Sequence, residues 1–143
     1  MRIADLLRHK GSDVATVPPG ISVSGLLEDL ARHNVGAMVV VDDTGEVVGI
    51  VSERDVVRRL HERGAELLRA AVSEIMTTSV VTCEPTEAVD SLASIMTERR
   101  VRHMPVVSGG RLVGIVSIGD VVKSRIEQLE SDREQLESYI AQG

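Results

Sequence analysis

A repeated block inside the chain limits the possible folds more than any other sequence feature. Residues 47–57, VVGIVSERDVV, match residues 112–122, LVGIVSIGDVV, at an offset of 65. Upstream the offset is 66, where HNVGAMVVV (33–41) lies over RRVRHMPVV (99–107). The change of one residue falls in the turns DDTGE and SGGR, where a length change costs little free energy. Self-similarity of this kind indicates two copies of one structural unit.

Both copies carry the same order of predicted elements. In each copy two β-branched runs flank a turn, which predicts an antiparallel hairpin. An amphipathic helix with apolar residues three and four apart precedes each hairpin. These residues are Val23, Leu26, Leu27 and Leu30 in the first copy and Val89, Leu92, Ile95 and Met96 in the second. Another helix follows each hairpin, so each copy is predicted as strand–helix–strand–strand–helix.

The predicted fold class is α/β (α+β), with two pseudo-twofold-related repeats packed through their sheets. Halves of about 60 residues are marginally stable alone, which favours a joint arrangement. We place the first domain at residues 1–65, the second at 66–125 and a C-terminal helical extension at 126–143. Gly64 is expected to end the last helix of the first domain.

The extension carries apolar residues at heptad spacing, namely Val122, Leu129 and Leu136, with Ile126 and Ile140 nearby. An unbroken helix from Gly119 to Ile140 would be about 33 Å long. Such a stripe favours packing on a partner subunit. The alternative is a solvated tail whose few leucines touch its own body.

Composition excludes several classes of function. The net charge is −6, and no basic stripe with interleaved aromatics appears, which argues against a nucleic-acid partner. No apolar run approaches the roughly 20 residues that cross a bilayer, and the charged N-terminus is unlike a signal peptide. Cys83 is the only cysteine, which is typical of a reducing compartment. We therefore expect a cytoplasmic protein without a membrane partner.

The motif G-I-V-S-x-x-D has two interpretations. A helix start attracts anions, Ser can donate to phosphate, and Asp can accept hydrogen bonds from two ribose hydroxyls. Gly49 and Gly114 leave room for a close backbone approach. Ser-x-x-Asp before an apolar helix is also a capping box, worth roughly 1 kcal/mol. The residues alone leave both interpretations open.

Several short motifs, each present twice in the same order, resemble the CBS domain. They are IADLL and VSEIM, TVPPGISV and TCEPTEAV, HNVGAMVVV and VRHMPVV, and GIVSERD and GIVSIGD. They cover nearly everything from Ile3 to Lys123, so the chain is similar to a tandem CBS pair, or Bateman module. The resemblance implies clefts between paired domains that bind AMP, ADP, ATP, NAD or S-adenosylmethionine, and a flat homodimer of modules.

The resemblance also implies roles for individual residues. Asp55 and Asp120 would hold ribose hydroxyls, with Ser52 and Ser117 beside ribose or phosphate. The residues that would frame the purine are Thr16 and Thr82, on the first strand of each half, and Ala37, Met104, Ile50 and Ile115.

The two halves differ where phosphate would lie. Arg102 and His103 of the second half are the candidate phosphate contacts, because guanidinium groups match phosphate geometry. Pro105 follows Met104 and belongs to the same candidate ligand-binding set. Arg54 of the first half corresponds to Gly119 of the second, which predicts two unequal clefts.

No catalytic, metal-binding or dinucleotide motif accompanies these residues. The first hypothesis is a stand-alone regulatory module that binds an adenine nucleotide and signals to an unidentified regulated protein. Its homodimer would use the CBS faces and the C-terminal helix. The alternative is a ligand-independent interaction scaffold in which the Ser/Asp pairs are only helix caps. An enzyme that uses the nucleotide as a cofactor lacks a visible acid, base or nucleophile, so no catalytic cofactor is expected.

Overall fold

The structure is a computed structural model that describes residues 1–142. The elements up to the middle of the chain are α1 (Ile3–Lys10), β1 (Thr16–Val17), α2 (Val23–His33), β2 (Ala37–Val41), β3 (Val47–Ser52) and α3 (Glu53–Arg63). Two 3-10 helices follow, Gly64–Arg69 and Val72–Glu74. The remaining elements are α4 (Val89–Arg99), β4 (His103–Ser108), β5 (Arg111–Ser117) and α5 (Ile118–Gln142). Gly143, the last residue of the predicted extension, lies outside the described residues.

Both predicted hairpins are present, and the α+β class is confirmed. β2 pairs antiparallel with β3 and parallel with β1, and β4 pairs antiparallel with β5. Both faces of β2 are buried. Met38 and Val40 belong to the core of the first half, whereas Ala37 and Val39 are buried outside that core. A strand buried on both faces is expected where a second layer covers the sheet.

The first strand of the second half differs from the prediction. A single parallel bridge, Cys83 to Val106, stands where β1 stands in the first half. The Cys83 N–H donates to the Pro105 carbonyl at 3.1 Å, and the Val107 N–H donates to the Cys83 carbonyl at 2.8 Å. Pro105 has no N–H to donate the next bond, so the ladder stops. Placing Thr82 on a strand was therefore wrong.

Each core is completed by a segment that precedes the opposite half. Ile3, Leu6 and Leu7 of α1 pack in the core of the second half. Val72, the first residue of the second 3-10 helix, and Ile75, which follows that helix, pack in the core of the first half. The apolar contacts therefore cross the predicted division at 65/66, and each half depends on the other for core residues.

Two glycines allow these crossing segments to approach the hairpins. A Cβ at Gly49 would lie 2.6 Å from the Met76 sulfur, and one at Gly114 would lie 2.7 Å from a Leu7 methyl. Any side chain at either position would clash. The close approach that the sequence indicated is therefore made by the protein's own crossing segments.

Helices begin and end largely as the sequence predicts. α3 ends at Gly64, whose φ of 70° lies in the left-handed region. α5 continues unbroken for 25 residues, which confirms the predicted long helix. Most of its apolar side chains are exposed, namely Val122, Ile126, Leu129, Leu136, Tyr139 and Ile140. Nowhere in residues 1–142 does a helix combine the length and hydropathy that crossing a bilayer requires.

Candidate functional site: two unequal clefts

Both Ser/Asp pairs form capping boxes at the starts of α3 and α5. The Ser52 N–H donates to Asp55 Oδ2 at 2.8 Å, and the Asp55 N–H donates to Ser52 Oγ at 3.3 Å. Ser117 and Asp120 repeat the arrangement at 2.9 and 3.1 Å. In each box the cap engages Oδ2. The capping interpretation is therefore correct, and it leaves Oδ1 of each aspartate for another partner.

A cleft of about 400 Å³ lies beside the first capping box and is called here the interhalf cleft. Seven of the predicted site residues line it: Ala37, Ile50, Ser52, Arg54, Asp55, Arg102 and His103. Thr77, Ser79, Val80 and Val81 form the connecting wall. Because the lining comes from both halves, a ligand there would contact both repeats at once.

Four arginines line the interhalf cleft, together with the acidic Glu53 and Asp55. Arg54 and Arg58 come from α3, and Arg100 and Arg102 come from the segment before β4. Arg58 was not predicted. The signal for it is its position four residues after Arg54, since residues four apart lie on the same face of a helix. Guanidinium groups from two directions suit a phosphate-bearing ligand.

His103 lies at the inner wall of the interhalf cleft. Burial lowers the pKa of its imidazole below the ordinary value, and the positive charges of Lys10 and Arg102 act in the same direction. The negative charge of Asp120 opposes this shift only in part. The lowered pKa favours the neutral imidazole, whereas an anion bound beside it would favour the protonated form.

The second capping box adjoins a different cavity. This cleft of about 290 Å³, called here the Lys10 cleft, is lined by Met1, Leu6, His9, Lys10, Asp120, Lys123, Ser124 and Glu127. Lys10 Nζ donates to Asp120 Oδ2 at 2.5 Å and to the Ile115 carbonyl at 2.8 Å. The Lys10 ammonium thus binds at two residues, Asp120 and Ile115, to which the family resemblance gave the ribose and the base.

Lys10 also controls the charge of Asp120. Burial favours the protonated carboxyl, but hydrogen bonds from Lys10 and Ser117, with the charge of Lys10, outweigh it and hold the pKa of Asp120 below its ordinary value. Sequence reasoning missed Lys10, because it lies 110 residues from Asp120 and reaches it only through the crossing of α1.

Six predicted residues line neither cleft, namely Thr16, Thr82, Met104, Pro105, Ile115 and Ser117. Met104 is fully buried in the core of the second half, and the neighbouring Pro105 is also buried. Because side chains alternate along a strand, Met104 faces away from the side that carries His103. Thr16 and Thr82 are exposed and lie outside both cleft linings.

The family assignment agrees with this geometry. The family model described as "CBS domain" matches residues 3–62 and 72–127. The two matches cover most of the chain and coincide with the two repeats. The chain belongs to the CBS-domain family as a tandem pair.

Known proteins of the same architecture extend the comparison. The solved CBS-domain protein ATU1752 from Agrobacterium tumefaciens is 47% identical, with a TM-score of 0.85, over 87% of this chain and 99% of that chain. CBS domain-containing protein CBSX3, mitochondrial, from Arabidopsis thaliana is 31% identical over 99% of this chain and 72% of its own length. The CBS domain pair of protein MJ0100, solved with 5′-methylthioadenosine and S-adenosyl-L-methionine, is 28% identical with a TM-score of 0.80. That match covers 90% of this chain and 98% of that one.

Proposed function

We propose that this CBS pair is a regulatory module that binds one phosphate-bearing adenine nucleotide in the interhalf cleft. The observation that carries the proposal is the position of Asp55. Its Oδ1 is not used by the helix cap, and the same cleft contains Arg54, Arg58 and Arg102. A carboxylate and several guanidinium groups around one cavity match a ribose linked to phosphate.

Different residues of the cleft would contact the purine, the ribose and the phosphate. The half-buried Ile50 and the buried Ala37 offer an apolar surface for a flat purine. Asp55 would accept from the ribose hydroxyls, and Arg102 and His103 would contact phosphate. The adenosine compounds named with the MJ0100 structure support a ligand of this class. The arginines favour AMP, ADP, ATP or NAD over a neutral nucleoside.

The Lys10 cleft is proposed to bind nucleotide much more weakly. A ribose there would meet a carboxylate whose charge is already neutralised by the Lys10 ammonium, 2.5 Å from Asp120 Oδ2. A peptide carbonyl, that of Ile115, binds the same ammonium. One nucleotide per chain is therefore expected.

Signalling is proposed to pass through the start of α5. The Arg102 carbonyl accepts a hydrogen bond from the Ile118 N–H at 2.8 Å, and Ile118 is the first residue of α5. A phosphate that moves Arg102 would act on this helix, provided the ligand binds two arrangements with different affinity. The readout would be a change in a homodimer or in contact with a separate regulated protein. The function is regulatory rather than catalytic, and the buried Cys83 thiol is consistent with a cytoplasmic location.

The interaction scaffold remains the second candidate function. It is favoured by the capping boxes, because capping alone accounts for both serines and both aspartates.

Isothermal titration of nucleotide-free protein with AMP, ADP, ATP, NAD and S-adenosylmethionine separates the two functions. The nucleotide sensor predicts saturable binding of a phosphate-bearing member with one site per chain. The Arg102→Ala variant should bind more weakly, by on the order of tenfold to a hundredfold for one lost charged hydrogen bond. Absence of heat with every compound would support the scaffold.

A further inference from the structure

α5 carries a coiled-coil seam on its exposed side, with one charged residue among its six core positions. With heptad positions labelled a to g, Val122, Leu129 and Leu136 occupy d, and Ile126, Arg133 and Ile140 occupy a. The five apolar members of this set are between 50% and 68% exposed. A seam of this kind is stable only when a second helix covers it.

A groove lies beside the first part of this seam. It has a volume of about 640 Å³, and its apolar lining is Met1, Val89, Ala93, Ile118, Val121, Val122 and Ile126. Arg125 and Asp90 form an ion pair of 2.6 Å across it, between α5 and α4. Val122 and Ile126 belong to both the groove and the seam, so the apolar side of the groove continues into the seam.

We propose that a second copy of this chain covers this surface with its own α5 in antiparallel orientation. The seam allows a symmetric register in which Ile126 packs against the partner's Leu136 and Val122 packs against the partner's Ile140. The seam from Val122 to Ile140 spans about 27 Å at 1.5 Å per residue. This interface deepens the homodimer proposed above and does not depend on nucleotide binding.

Charge decides the orientation. In a parallel pair, Arg133 would meet the partner's Arg133 in the same buried layer, which is unfavourable. In the antiparallel register, Arg133 lies against the partner's Leu129, beside the acidic Glu130 and Asp132 of both chains. The two arginines thus neutralise the most acidic part of the seam. The same register places Lys123 opposite the partner's Glu137, an attractive pair.

The groove supports the same orientation. Residues 139 and 140, Tyr and Ile, are 76% and 68% exposed at the far end of α5. The antiparallel register brings the partner's Ile140 to Val122, at the groove, where a large apolar side chain fits. A parallel pair would pack Ile140 against the partner's Ile140 at the far end of α5 and would bring neither side chain to the groove.

Sedimentation equilibrium of the full chain, from about 1 to 100 µM, tests the interface. We expect a mass of twice 15.4 kDa for the unmodified protein. Leu136→Glu places a charge in an apolar layer and should weaken association on the order of a hundredfold or more. Ser138→Glu is the matched control, because it adds the same charge two residues away on the outer face. Circular dichroism melts establish that both variants fold.

Charge exchange tests the orientation. Lys123→Glu and Glu137→Lys should each weaken the dimer by roughly threefold to tenfold through two symmetric pairs, and the double variant should restore it. A double variant as weak as the singles would overturn the antiparallel register. A dimer whose dissociation constant is unchanged by Leu136→Glu would overturn the helix interface but leave the homodimer in place. A monomer at every concentration would overturn both.

Discussion

The two aspartates allow cap and ligand roles to be separated, because their caps are alike and their clefts are not. In Asp55→Ala the cap serine loses a backbone hydrogen bond of 2.8 Å, and in Asp120→Ala one of 2.9 Å. Losing a cap costs about 1 kcal/mol, or roughly 3–5 °C in Tm for a chain of this size.

Asp120→Ala also removes the ion pair with Lys10. The two side chains are 31% and 25% exposed, so solvent screening limits this pair to at most about 1 kcal/mol. Without ligand, Asp120→Ala should therefore melt at the same temperature as Asp55→Ala or a few degrees lower.

With nucleotide bound, Asp120→Ala should melt at a higher temperature than Asp55→Ala. A nucleotide at about 100 times its Kd stabilises the native protein by roughly 2.7 kcal/mol, on the order of 5–10 °C here. Asp55→Ala should lose that increment, whereas Asp120→Ala should keep it, because Lys10 and not a ribose binds Asp120.

Thermal unfolding followed by circular dichroism, with and without ATP or NAD, measures both quantities. Equal loss of the ligand increment in both variants would refute the assignment of the nucleotide to the interhalf cleft. Retention of the full increment in Asp55→Ala would refute the ribose role of Asp55.

Three further predictions follow from the same contacts. Lys10→Met should open the second cleft and raise the nucleotide stoichiometry measured by titration towards two per chain; a value that stays at one would contradict the role of Lys10. Since burial lowers the pKa of His103 and a bound phosphate would raise it, binding takes up a proton, and affinity should increase as pH falls from about 8 to 6. This increase should exceed that of His103→Gln, and equal pH profiles would contradict the phosphate contact. Gly49→Ala would place its Cβ 2.6 Å from the Met76 sulfur and should destabilise the fold by about 1–3 kcal/mol in a denaturant titration. Gly20→Ala, with open space around it, is its control, and equal losses in both would contradict the clash.

Much of the fold could be predicted from local patterns. The spacing of Val23, Leu26 and Leu30 predicts the buried face of α2, and all three are buried. Hairpins follow from β-branched runs around turn residues, and the end of α3 follows from Gly64. The strand predicted around Thr82 failed, because it depended on pairing with a distant segment. That segment carries Pro105, which cannot donate the hydrogen bond needed.

The candidate site was predictable where it is local. Ser52 and Asp55 lie three residues apart at a strand–helix junction, and the capping box that they form follows from that spacing. Met104 was misplaced because adjacent strand residues face opposite sides, so only His103 of that pair lines the cleft. Whether the seven predicted residues in the interhalf cleft bind a nucleotide stays a prediction.

The sequence by itself determined the duplication, the order of elements, the capping boxes and the apolar stripe of α5, since each depends on residues close together in the chain. Only the tertiary structure decided how the two clefts differ. α1 crosses to the second core, driven by burial of Ile3, Leu6 and Leu7, and this crossing carries Lys10 to Asp120. No repeat or spacing encodes that contact, because it arises from where apolar surface is buried, and so the nearly identical motifs face different surroundings.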